Sequence, residues 1–188
     1  MTPLRPRFLP ALAAAYAATF ALACLTQPPD RLLLAAVIAL PLIWISHVDL
    51  MRQEIPDPAT AIIALSGAVF QWHLHGLTMP FMVTLATAAL LTAVLWWAGG
   101  WYFLRRGDEA LGIGDAKLIG AGTLCLGAGQ VWAMIFVAAT GGIVAALLAR
   151  RRGRAEHNTA QRSLAFGPFL AYAIFIFVNF PLPGPAAP

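Results

Sequence analysis

The chain has 188 residues, of which 60% are hydrophobic and only 11% charged, with a mean hydropathy of +0.76 and a formal net charge of +4. A soluble domain is about 45–50% apolar and about 25% charged, so this composition excludes a disordered chain, a soluble nucleic-acid binder and a disulfide-rich secreted module. Lipid must cover the apolar excess, and the fold class expected is an all-α, polytopic bundle of transmembrane helices.

Seven spans are predicted in chain order. The first, Phe8–Leu25, follows Arg5 and Arg7 and lacks a small-x-small cleavage site before a polar region, so it reads as a retained helix and not a signal peptide. Pro28 and Pro29 separate it from the second span, Leu32–Val48. Pro56 and Pro58 precede the third, Pro58–Leu74, which carries Gln71, His73 and His75 at its far end. Pro80 opens the fourth, Pro80–Leu104. The fifth, Ala116–Leu126, is short and glycine-rich and is expected to extend to Gly129. The sixth is Val131–Ala149 and the seventh Leu164–Phe180. Residues 1–180 read as a single transmembrane domain without internal repeats, and residues 181–188 as a disordered tail rich in Pro, Gly and Ala.

The basic residues test this topology. With the N-terminus inside the cell, the cytoplasmic side receives Arg5, Arg7, Arg52, Arg105, Arg106, Lys117, Arg150, Arg151, Arg152, Arg154 and Arg162, and the far side only Arg31. Such asymmetry is the positive-inside pattern, and it places the N-terminus in and the C-terminus out. Deleting either weak span, the third or the fifth, would scatter the arginines over both sides. The arginine cluster at 150–154 then reads as a topology anchor and not as a nucleic-acid site.

Acidic residues are the informative ones in a membrane protein, because burying them is costly. There are eight, and six fall in two short clusters, 49–57 and 108–115, both on the cytoplasmic face of this topology. Asp49 ends an apolar run and Asp115 opens one. Singly, Asp49 reads as a solvated boundary residue and Asp115 as a helix N-cap. Together they suggest something else. Two carboxylates that meet in a low-dielectric site share a proton, which provides one general base and one general acid, as in aspartic proteases.

The residues around them carry a resemblance. Gly112-x-Gly114-Asp115-x-Lys117-Leu118 resembles the GxGDxKL signature of the prepilin peptidases, the GxGD aspartyl proteases of the type IV leader peptidase family. Asp49 with Ile55-Pro56-Asp57 is similar to their D-x5-IP-[ND] segment, and Phe166-Gly167-Pro168-Phe169-Leu170-Ala171 to their FGPFLA segment. The three occur in the family's order and cover roughly residues 45–180. The resemblance implies an intramembrane endopeptidase in which Asp49 and Asp115 are catalytic, acting through water with no metal and no other cofactor. Its substrate would be a type IV prepilin or pseudopilin, cut at the cytoplasmic face of the bacterial inner membrane just before the pilin's hydrophobic helix. Gly112, Gly114, Lys117, Ile55, Pro56, Asp57, Glu109, Gly167 and Pro168 would bind substrate or shape the site.

The chain also departs from the family. The bifunctional members carry a methylase region with paired CxxC motifs. The cysteines here are Cys24 and Cys125, each in an apolar stretch, so peptidase activity without methyl transfer is expected. Where longer forms carry a second aspartate two positions after the first, Met51 stands. Lys117 reads either as a ligand for a substrate carboxylate or as a snorkelling interface lysine. His47 is a candidate partner of Asp49, and His73 and His75 read as interface residues. The six tryptophans suit an interfacial belt. The competing functions are a small proton-coupled transporter, which needs acids deep in its spans, and a catalytically inactive pilus-assembly factor.

Overall fold

The computed structural model describes residues 8–106, 112–151 and 165–183. Those residues form seven α-helices: α1 Phe8–Ala23, α2 Pro29–Arg52, α3 Asp57–His75, α4 Met79–Arg106, α5 Ile113–Leu126, α6 Val131–Arg151 and α7 Gly167–Asn179. Each expected span coincides with one helix. Three helical stretches, Pro29–Arg52, Met79–Arg105 and Val131–Leu148, are long and apolar enough to cross a membrane; Pro10–Ala23 and Gly167–Asn179 are apolar but shorter.

Helix boundaries follow local chemistry. Pro29 sits at the first position of α2, where its missing N–H costs nothing. The helix runs past Asp49 to Arg52 and ends at Gln53, which adopts the left-handed conformation (φ 57°) and caps Asp49 O with its N–H. The stop therefore precedes Pro56, which is extended and starts α3. The fifth helix ends at Leu126 and does not reach Gly129, because Gly127 turns the chain at φ 83°. Its 14 residues reach only about 21 Å. The tail residue Leu182 donates its N–H to Gln130 Oε1 (3.2 Å), and residues 184–188 lie outside the described residues.

Packing builds a ring. α2 lies along α3 and α7, and α5 closes the ring by packing on both α3 and α7. α4 packs outside α5, α6 packs mainly against α7, and α1 lies against α2 and α7. α5 is buried on most sides from Ala116 to Leu126, with Lys117 alone exposed, as a central helix must be. The glycines at 120 and 122 serve that packing: a Cβ on Gly120 would strike Thr92, and one on Gly122 would strike Ile174 and Met134. α2 buries one stripe, Leu34, Ile38, Leu42, Ile45 and Asp49 among it, at the i, i+4, i+7 spacing of a helix face. α1 is fastened by Tyr16, whose ring meets those of Tyr172 and Phe175, and by Thr19, which hydrogen-bonds the Tyr172 hydroxyl at 3.0 Å.

The outside is apolar. Leu40, Leu65, Leu90, Phe136 and Ile143 are each more than half exposed. All six tryptophans lie on the outer surface, and Arg105 stacks over Trp101 at 4.1 Å. Such a surface suits lipid contact, and the chain is a membrane protein.

Helix ends alternate between the two poles. The start of α3 meets the start of α5, and the end of α2 meets the start of α7. At the opposite pole Thr84 of α4 accepts the Ala128 N–H beyond α5, and Gln130 before α6 accepts the Leu182 N–H beyond α7. One pole thus collects Asp49, Ile55–Asp57, Gly112–Lys117 and Gly167–Pro168.

Candidate active site

Asp49 is the innermost of these residues. It is the last rung of the buried stripe of α2 and only 5% exposed. Its Oδ2 accepts the backbone N–H of Gly167 at 2.9 Å. That donor is the first residue of α7, one of the N–H groups a helix start leaves without an internal partner, and the positive helix end faces the carboxylate. Only glycine permits this approach: a Cβ at 167 would stand 2.8 Å from Oδ2. Pro168 follows in the first turn, where a proline disturbs no helix bond, and both residues are buried. The solvated-boundary alternative for Asp49 does not hold. Its carboxylate pairs with Gly167 N–H and not with His47, two positions back on a different helix face.

Asp115 occupies the third position of α5, after Gly112 as N-cap. It is therefore not the cap itself. Its carboxylate takes the N–H of Gly112, as the third-position acid of a capping box does, and it interacts electrostatically with Asp49. It is half-buried. The two carboxylates thus interact electrostatically from opposite corners of the ring, on α2 and α5.

The other two corners hold the remaining motif residues. Ile55, half-buried between Gln53 and Pro56, packs on the first turn of α5. A Cβ on Gly114 would stand 2.7 Å from Ile55 Cβ. Asp57, at the first position of α3, forms an ion pair with Lys117, Nζ to Oδ1 2.7 Å. Both side chains are well exposed, 44% and 70%, so the pair contributes at most about 1 kcal/mol. The expected candidates Asp49, Asp115, Gly112, Gly114, Lys117, Ile55, Pro56, Asp57, Gly167 and Pro168 are brought to one pole. Glu109 lies outside the described residues.

The pairings are what sequence reasoning missed. Nothing in the chain announced that Lys117 takes Asp57, or that Gly167 serves Asp49. The periodic stripe on α2 was a legible signal that Asp49 points inward. His73 and His75 form no metal-binding group, and none of three or more His, Cys, Asp or Glu occurs among the described residues. A groove of about 640 Å³ opens between α3, α4 and α5, with Asp57 and Lys117 at its polar end.

Comparison with known proteins gives a consistent result. The model of the Type IV leader peptidase family matches residues 36–148. The "Prepilin leader peptidase/N-methyltransferase" of Dickeya chrysanthemi is 32% identical over 155 residues, 81% of this chain and 53% of the relative. That of Pectobacterium carotovorum subsp. carotovorum is 33% identical over 145 residues, 76% of this chain and 50% of the relative. That of Burkholderia pseudomallei (strain K96243) is 32% identical over 172 residues, 90% of this chain and 53% of the relative. The chain spans about half the length of these curated relatives. No solved structure gives a significant match.

Proposed function

The chain belongs to the type IV leader peptidase family, and on that premise we propose that it is an intramembrane aspartic endopeptidase that removes the leader of a type IV pilin-like prepilin. The observation that carries this reading is the convergence of three separated motifs on two carboxylates, Asp49 and Asp115, at one pole of the bundle.

Hydrolysis needs no covalent intermediate there. One carboxylate is ionised and takes a proton from water as the water oxygen attacks the scissile carbonyl carbon. The other gives its proton to the carbonyl oxygen, forming a tetrahedral diol. As that diol collapses, the second carboxylate takes back the proton of one diol hydroxyl, the C=O re-forms, the C–N bond breaks, and the amine leaves with the proton held by the first carboxyl. The pair ends with one proton between them, ready for another cycle. Asp49 and Asp115 are the catalytic residues in this scheme. The Gly167 N–H fixes the direction of the Asp49 carboxylate, and the Gly112 N–H that of Asp115.

The charge pattern supports the cytoplasmic face of the inner membrane as the site of cleavage, and seven crossings with the N-terminus inside. Of the two activities in the relatives' names, we assign the chain the peptidase one. Among the described residues, Asp49, Glu54, Asp57 and Asp115 share one pole and only Asp30 lies at the other, so no acid sits midway along a span, which disfavours a transporter. Two aspartates both held by backbone donors disfavour an inactive assembly factor.

Co-expression with a candidate prepilin tests the reading. Wild type shortens the prepilin, and Asp49→Asn or Asp115→Asn leaves it full-length. A variant that cleaves at the wild-type rate removes its aspartate from the mechanism.

A further inference from the structure

We propose that residues 55–57 form a positioning platform for Asp115, setting the distance between the two carboxylates; this rests on the peptidase reading above. Asp115 is bracketed by two contacts with this short segment. On one side, Gly114 lies against Ile55; on the other, Lys117 pairs with Asp57 at 2.7 Å. The segment is covalently close to Asp49. α2 ends three residues after Asp49, Gln53 reverses the chain in left-handed geometry, and Ile55 follows two positions on. One short connection therefore leaves the first aspartate and grips the turn that holds the second.

The Gly114 contact is the stiffer of the two. A Cβ at 114 would meet Ile55 Cβ at 2.7 Å, Cγ1 at 3.1 Å and Cδ1 at 3.3 Å. The nearest atom is fixed to the backbone, so no rotamer change relieves the clash, and the turn must move away from α3. A shift of about 1 Å in a reacting group can cost about 100-fold in rate. The ion pair is exposed and contributes less, holding the orientation of the same turn. The platform also explains the spacing of the first motif. Asp49 must reach Gly167 inside the ring, while Ile55 and Asp57 must already face α5.

The size swap at this contact is the test. Gly114→Ala lowers prepilin cleavage roughly 100-fold, in kcat and not in KM. Adding Ile55→Gly, which removes the opposing Cβ, recovers at least a tenth of the wild-type rate. Lys117→Gln lowers kcat a few-fold and leaves KM unchanged. A second readout needs no activity. Spin labels at Pro58→Cys and Ile113→Cys, both exposed sites, report the separation of the α3 and α5 starts in purified protein with Cys24 replaced by serine. Gly114→Ala lengthens that distance and Ile55→Gly restores it.

An unchanged distance in Gly114→Ala, or a kinetic loss that Ile55→Gly does not repair, overturns the platform. So does a rise in KM for Lys117→Gln, which would make Lys117 a substrate contact. If wild type cleaves no prepilin while the distances respond as stated, the peptidase reading fails and the positioning of Asp115 by 55–57 stands.

Discussion

Gly167 donates its N–H to Asp49 Oδ2 at 2.9 Å, joining two residues 118 positions apart in the chain. The bond ties the end of α2 to the start of α7 and orients a carboxylate that is almost fully buried. An unpaired buried carboxylate would be costly, so this donor is part of what lets an acid occupy that position.

Gly167→Ala should therefore slow cleavage sharply without unfolding the bundle. The added Cβ would stand 2.8 Å from Oδ2 and must displace the carboxylate. The expected loss is about 100-fold in the rate of prepilin shortening, with thermal stability in detergent lowered by no more than a few degrees. A variant of unchanged rate would show that Asp49 works without the α7 donor.

The rate should rise and fall with pH. The proposed chemistry needs one carboxyl protonated and the other ionised. Acid protonates both and removes the base, and alkali ionises both and removes the acid. Cleavage by purified enzyme in proteoliposomes should give a bell-shaped kcat profile. A rate that is flat across the acidic range would exclude a carboxylate base.

Core packing around α5 should be sensitive to volume. Leu118 is fully buried three residues after Asp115. Leu118→Ala should cost about 3 kcal/mol of stability, measured by denaturant or thermal unfolding in detergent. The same loss at Leu65, 67% exposed on the outer face of α3, should be much smaller.

Sidedness is equally testable. Cysteine at Glu54, exposed at the motif pole, should react with a membrane-impermeant maleimide from the cytoplasmic side only. Cysteine at Leu182, half-exposed at the opposite pole, should react from the other side. Both labelled from one side would contradict the alternation of helix ends.

Much of this architecture was legible in the chain. Hydropathy and prolines located all seven helices, because lipid and proline impose strong local rules. The inward aspect of Asp49 was written in the stripe from Leu34 through Ile38, Leu42 and Ile45, although Asp49 alone resembled a boundary residue. Other features depend on tertiary packing. Gln53 is an unusual residue for a left-handed helix stop, and no local rule of sequence marks it as one. The pairing of Lys117 with Asp57 spans 60 residues and required the α3–α5 contact to be known. The same holds for Gly114, whose missing side chain makes sense only with Ile55 beside it.

In the proposed function Asp49 and Asp115 act together on a prepilin peptide bond. The most direct measurement is cleavage of a purified prepilin by reconstituted wild type, Asp49→Asn and Asp115→Asn, with the products identified by mass spectrometry. Wild type should make one cut at the leader boundary, and neither variant should make any. Equal cleavage by a variant, or an intact prepilin with folded wild type, would contradict this function.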